Sequence, residues 1–178
     1  MSRYPLELNL AKKSLSSVFF ISLFLFLFVP LFLPTWKLFF FAPFLVILFY
    51  QKTKIAALTA ACLCGLLVDL FSAQGSIPFF AINYCLTTLL LYDQKQNFFG
   101  DSLSTLPIMV YFFGGISTLC QGLLREIFDK TAFISPEWFF IDAVLFPFTD
   151  ACYGWIVFIL PALLFGKRQR RGSEYFSG

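Results

Sequence analysis

A chain of 178 residues has the size of one modest domain, yet 59% of it is hydrophobic, only 13% is charged, and the mean hydropathy is +0.81. Soluble chains carry roughly a quarter charged residues, so a sequence with 27 Phe and a net charge of +3 is written for a bilayer and carries no sign of nucleic-acid binding. The absence of His removes Ser-His-Asp and Cys-His catalysis and most zinc and haem ligation.

Six apolar runs follow in order, predicting an all-α integral membrane protein with six transmembrane helices. The first, Ser14 to Leu33, is uncharged and long enough to cross a hydrocarbon core of about 30 Å. Lys12 and Lys13 give it the basic flank of a signal peptide, but Pro30, Pro34, Thr35 and Trp36 offer no small-x-small cleavage site, so it is read as a mature helix. The second, Leu38 to Tyr50, is short and contains Pro43; with Thr35 and Trp36 it reaches only about 24 Å. The third, Ile55 to Phe71, ends in the turn-like Ser72-Ala73-Gln74-Gly75-Ser76. The fourth runs Ile77 to Tyr92, the fifth Leu103 to Leu124, and the sixth Trp138 to Phe165. The expected organisation is a cytoplasmic segment 1–13, a membrane domain 14–166 and a basic cytoplasmic tail 167–178.

Charge orients the runs. With six crossings, Arg3, Lys12, Lys13, Lys52, Lys54, Lys95, Lys167, Arg168, Arg170 and Arg171 share one side, and only Lys37, Arg125 and Lys130 fall on the other. By the positive-inside rule the richer side is cytoplasmic, which places both termini there. The largest loop on the opposite side, Arg125 to Glu137, is too small to be a domain.

Lipid-facing surfaces need only be apolar, so small and polar residues within a run report on packing or function. Ala57, Ala61, Gly65 and Asp69 recur at steps of four in the third run, forming a small-residue stripe that ends in a carboxylate. Gly114, Thr118 and Gly122 do the same in the fifth, with Gly115 beside them. These faces are expected to meet another helix of the chain, each other, or a partner protein. Counted from the cytoplasmic ends, Asp69 and Asp150 lie about 21 and 22 Å up, while Arg125 and Asp142 lie near 33 and 34 Å. A charge inside the slab calls for pairing or protonation; Arg125 is the expected partner of Asp69, with a contact to a partner or ligand and a proton relay as the alternatives.

Chemistry-bearing motifs are sparse. Cys62, Cys64, Cys85, Cys120 and Cys152 all lie within apolar runs and read as small hydrophobes, and Cys62-x-Cys64 lacks the spacing of a redox or zinc pair. Two intramembrane aspartates raise the aspartyl-protease arrangement of lipoprotein signal peptidases, but neither Val68-Asp69-Leu70 nor Thr149-Asp150-Ala151 has the Asn-x-x-Asp-Arg context. No phosphate loop and no metal-ligand cluster is visible, so neither a cofactor nor an enzymatic activity is expected.

Gly65-Leu66-Leu67-Val68-Asp69-Leu70-Phe71-Ser72 resembles the Gly-x-x-x-Asp-Leu-x-Ser segment that closes the third span in the rod shape-determining protein MreD family of bacterial inner membranes. Pro34-Thr35-Trp36 before a short second span, Asp142-Ala143-Val144-Leu145-Phe146-Pro147 in the last span, and the basic Lys167-Arg168-Gln169-Arg170-Arg171 extend the likeness over essentially the whole chain. The chain departs from the family where a glycine commonly opens the fourth span a little later than Gly75, and where Asp142 stands in place of an expected Asn. The resemblance implies a fold similar to the substrate-binding subunits of energy-coupling-factor transporters. It also implies a non-enzymatic role in the elongasome, supporting cell shape and peptidoglycan synthesis beside an MreC-like protein, with MreB, a RodA-type glycosyltransferase and a class B penicillin-binding protein in the same assembly. The competing reading is a small-solute-binding subunit of such a transporter. Those subunits often carry Ala-x-x-x-Ala in their first helix, whereas here Ala57 and Ala61 place that pattern in the third.

Overall fold

The computed structural model describes residues 14–32, 38–72, 78–96, 105–129 and 139–161, and these are helical apart from short connections. The helices are α1 (Leu15–Phe32), α2 (Ala42–Gln51), α3 (Lys54–Phe71), α4 (Phe79–Tyr92), α5 (Thr105–Asp129) and α6 (Phe139–Ile159). Four of them, α1, α3, α5 and α6, are long and apolar enough to cross a membrane, while α2 and α4 are shorter apolar helices. The described residues are thus all helical, with four helices suited to crossing a membrane. Segment 1–13, Pro34 to Lys37, the Gly75 turn, Lys130 and the basic tail lie outside the described residues.

The shortest helix sits at the centre. Every residue of α2 from Ala42 to Phe49 is buried, as expected of a segment that is apolar all round and begins at Pro43 without a polar face to turn outward. It packs against α1, α3, α5 and α6, and Phe41, Leu45, Ile47 and Phe49 are closed off completely. Its ten residues extend about 15 Å.

Around it the other helices divide their surfaces between core and lipid. Helix α1 docks through Val18, Ser22, Phe19 and Phe26; the rings of Phe19 and Phe26 lie 6.2 and 5.4 Å from Phe41. Its outer face is a column of exposed Phe20, Phe24, Phe28 and Phe32 at steps of four, suited to hydrocarbon and to nothing aqueous. Helices α3 and α4 form an antiparallel pair, clasped at the end carrying the lysines by the Lys54–Asp93 ion pair (2.7 Å) and by Tyr92 Oη donating to the Lys52 carbonyl (3.0 Å). Asp93 is exposed and Lys54 partly so, and this clasp contributes at most about 1 kcal/mol.

Helix α2 begins at Ala42, four residues into the run that opens at Leu38, and two further features differ from the sequence reading. Helix α5 continues past Leu124 to Asp129, so Arg125 belongs to its last turns and does not open a loop. The last helix widens to π geometry at Phe139–Leu145 and Trp155–Ile159, with an α-helical centre, Phe146–Gly154, between them. Pro147 has no N–H to return to the Ala143 carbonyl, and the ladder loosens in the turn before it.

Candidate functional site

The small-residue stripe of α3 faces inward, with Ala57 and Ala61 fully buried and Gly65 closed off. At Gly65 the contact is backbone on backbone. A Cβ placed there would lie 2.4 Å from Ala81 Cα and 2.6 Å from the Phe80 oxygen. Glycine is therefore what lets the first turn of α4 rest directly on α3. One turn further along α3, Asp69 receives that same turn: the Phe80 N–H donates to Oδ1 and the Ala81 N–H to Oδ2, each at 2.9 Å.

A helix start leaves amides without intrahelical acceptors, and a bilayer has no water to fill them. A carboxylate at that end supplies two acceptors and also meets the positive end of the helix dipole. This corrects the expected Asp69–Arg125 pair: both carboxylate oxygens are taken by backbone amides, and Arg125 instead lies over the Phe79 ring, 5.8 Å from its centre. Arg125 is exposed. Arg125→Ala should therefore cost under about 1 kcal/mol. Combined with Asp69→Ala it should be additive within about 0.5 kcal/mol in a melting-curve cycle; a larger coupling would restore the ion pair.

Helix α6 repeats the arrangement on α2. Asp150 is fully buried, and its Oδ1 accepts the Phe39 N–H at 2.9 Å. One turn on, Tyr153 Oη donates to the Phe40 carbonyl at 3.3 Å and its ring meets Phe40 edge-on. Asp150 and Tyr153 together hold the chain as it turns into α2. Asp150 Oδ2 has no hydrogen-bond partner. It faces α5 at Gly114, where a Cβ would come within 2.8 Å of it and within 3.2 Å of Pro147 Cα. At Gly115 an added Cβ would stand at ordinary contact distance from the Ala143 carbonyl and Pro147 of α6. The small face of α5 thus serves α6, that of α3 serves α4, and neither serves the other. Thr118 and Gly122 are buried further along α5, and Asp142 is half-buried in the first π-helical turn of α6.

The two aspartates singled out in the sequence have one job in two places, each holding the start of one of the two shorter apolar helices. A polar seam between α4 and α5 was not singled out. Asn83 Nδ2 donates to Ser117 Oγ at 2.7 Å, both fully buried, and Thr87 and Thr88 are buried one turn along α4. Its signal lay in plain view, as Asn83, Thr87 and Thr88 interrupt an otherwise apolar run. Phe39 as an amide donor left no signal, because any residue type supplies that N–H. No protein-family model, curated protein or solved structure matches this chain.

Proposed function

We propose that this protein is a non-enzymatic component of the bacterial cell-elongation complex, an MreD-like inner-membrane protein that supports cell shape and peptidoglycan synthesis by contact with an MreC-like partner. The observation that carries this reading is the coincidence of motif and architecture. Gly65 and Asp69, the two residues most diagnostic of the resemblance, are those that seat the start of α4 on α3. A segment with that mechanical duty has a physical reason to keep its spacing. MreB, a RodA-type glycosyltransferase and a class B penicillin-binding protein follow as further members of the assembly from the family likeness alone.

In this reading all six helices cross the bilayer with both termini in the cytoplasm, and the clasp of Lys54 and Asp93 marks the cytoplasmic end. Single-cysteine labelling in a cysteine-free background should find positions near Lys54, Lys95 and Lys167 cytoplasmic and those near Gly75 and Lys130 outside. External labelling near Lys54 would exclude the six-helix topology. Depletion should round or swell rod-shaped cells, and pull-down should recover an MreC-like protein with no bound vitamin. Stoichiometric recovery of a small solute with an ATP-hydrolysing module would favour the second reading, a solute-binding transporter subunit, for which the polar seam of Asn83, Ser117, Thr87 and Thr88 is the supporting observation.

A further inference from the structure

The contacts of the antiparallel pair α3 and α4 follow one register along its length. Gly65 lies on Ala81 at one end, and at the other Lys54 holds Asp93 while Tyr92 holds the Lys52 carbonyl. Cys62 stands three residues before Gly65 and Cys85 four after Ala81, so each is on the contact face of its helix, one turn from the Gly65 contact. Two observations place them together. Cys85 Sγ donates at 3.9 Å to the carbonyl of Leu58, the residue one turn before Cys62. The Cys85 thiol also lies near enough to that of Cys62 to interact with it. Both cysteines are free and half-buried, whereas Cys64, on another side of α3, is buried.

We propose that Cys62 and Cys85 form a redox-active dithiol, which a quinone dissolved in the bilayer oxidises to a disulfide tying α3 to α4. Helices packed through ordinary side chains stand about 8–10 Å apart, whereas the Cα atoms of a disulfide lie about 4.4–6.8 Å apart. The backbone contact at Gly65 lowers that obstacle by drawing the two helices together one turn away. Cys62 and Cys64 offer no rival bridge, since residues two apart on a helix do not face each other. In the reaction both S–H bonds break and one Sγ–Sγ bond forms. The two electrons and two protons released pass to the quinone, which becomes the quinol. The product suits its surroundings, because two weakly polar S–H groups give way to one neutral bridge. A quinone suits the site because it accepts two electrons and dissolves in hydrocarbon, and neither thiol is fully covered by the protein. The inference stands apart from the proposed elongation role, since it concerns only how α3 and α4 are held.

The test uses the full-length protein in lipid vesicles, treated with a short-chain ubiquinone analogue, then denatured and reacted with a mass-tagged maleimide. Untreated protein should take five tags, one for each free cysteine, and treated protein two fewer. Dithiothreitol should restore both. Cys62→Ser and Cys85→Ser should each lose no tag on oxidation, whereas Cys120→Ser and Cys152→Ser should lose the same two as the wild type. The bridge lies within one chain, so treated protein should run as a monomer without reductant. An unchanged tag count after quinone treatment would overturn the proposal, as would a loss that survives Cys62→Ser or a disulfide-linked dimer. Should Cys62→Ser or Cys85→Ser fail to fold, a variant with Cys64, Cys120 and Cys152 all replaced by alanine keeps only the pair, and oxidation should remove every tag it carries.

Discussion

Gly65→Val should be the most damaging single substitution in the protein, lowering stability by about 3 kcal/mol or more. The added Cβ meets Ala81 Cα at 2.4 Å, the Ala81 nitrogen at 2.6 Å and the Phe80 oxygen at 2.6 Å, all backbone atoms that cannot rotate aside. Relief requires moving the whole first turn of α4 outward, and that movement also draws the Phe80 and Ala81 amides off Asp69. One substitution therefore breaks a packing contact and two hydrogen bonds. Gly115→Ala is the matched control on the other small face, since its new Cβ would sit 3.6 Å from the Ala143 oxygen, an ordinary contact. Melting in detergent, followed by tryptophan fluorescence, should show a large loss for Gly65→Val and little change for Gly115→Ala. Equal melting of the two would mean that α3 and α4 do not approach as described.

Asp69→Ala should be nearly as severe, at about 2–4 kcal/mol, because it strands two amides at a helix start where the bilayer offers nothing in exchange. The informative comparison is Asp69→Asn. Its single carbonyl oxygen can accept one amide but its NH2 group opposes the other, so it should recover only about half of the loss. If the carboxylate mattered through a guanidinium partner instead, the asparagine would behave like the alanine and Arg125→Ala would match both. Amide hydrogen exchange sharpens the distinction. In Asp69→Ala, protection should fall first at Phe80 and Ala81, and the Phe39 amide held by Asp150 should stay protected.

The helices were legible because a membrane imposes one dominant signal. An uninterrupted apolar run predicts a helix almost regardless of its residue types, and α1, α3 and α4 lie within about two residues of the runs that announce them. The inward orientation of Ala57, Ala61 and Gly65 was legible too, since small residues at steps of four only repay a helix by close approach. The partner of that face was not. Gly65 meets Ala81 and Gly114 meets Pro147 and Asp150, and nothing in the spacing distinguishes these neighbours from each other or from a second protein. The role of Asp69 was misassigned for a related reason. Sequence displays charged side chains and hides backbone amides, so Arg125 presented itself as the partner while the true donors, the N–H groups of Phe80 and Ala81, looked like part of an apolar run. The apolar run stops at Leu124 while α5 continues to Asp129, since Arg125 and Glu126 are good helix formers and hydropathy marks only the apolar part of a helix.

The dependence of α2 on Asp150 has a consequence for the order in which the bundle is assembled. The Phe39 amide and its acceptor are 111 residues apart in the chain. At about 5–20 residues per second of synthesis, the start of α2 waits roughly 6–22 s for the carboxylate that holds it. Over that interval α2, ten residues long, lacks the α5 and α6 walls that later enclose it. Its final seat is therefore created by the C-terminal third of the protein, and the central helix of the finished bundle is among the last to be fixed. A chain that lacks α6 therefore leaves the Phe39 amide without its acceptor and α2 without one of its walls.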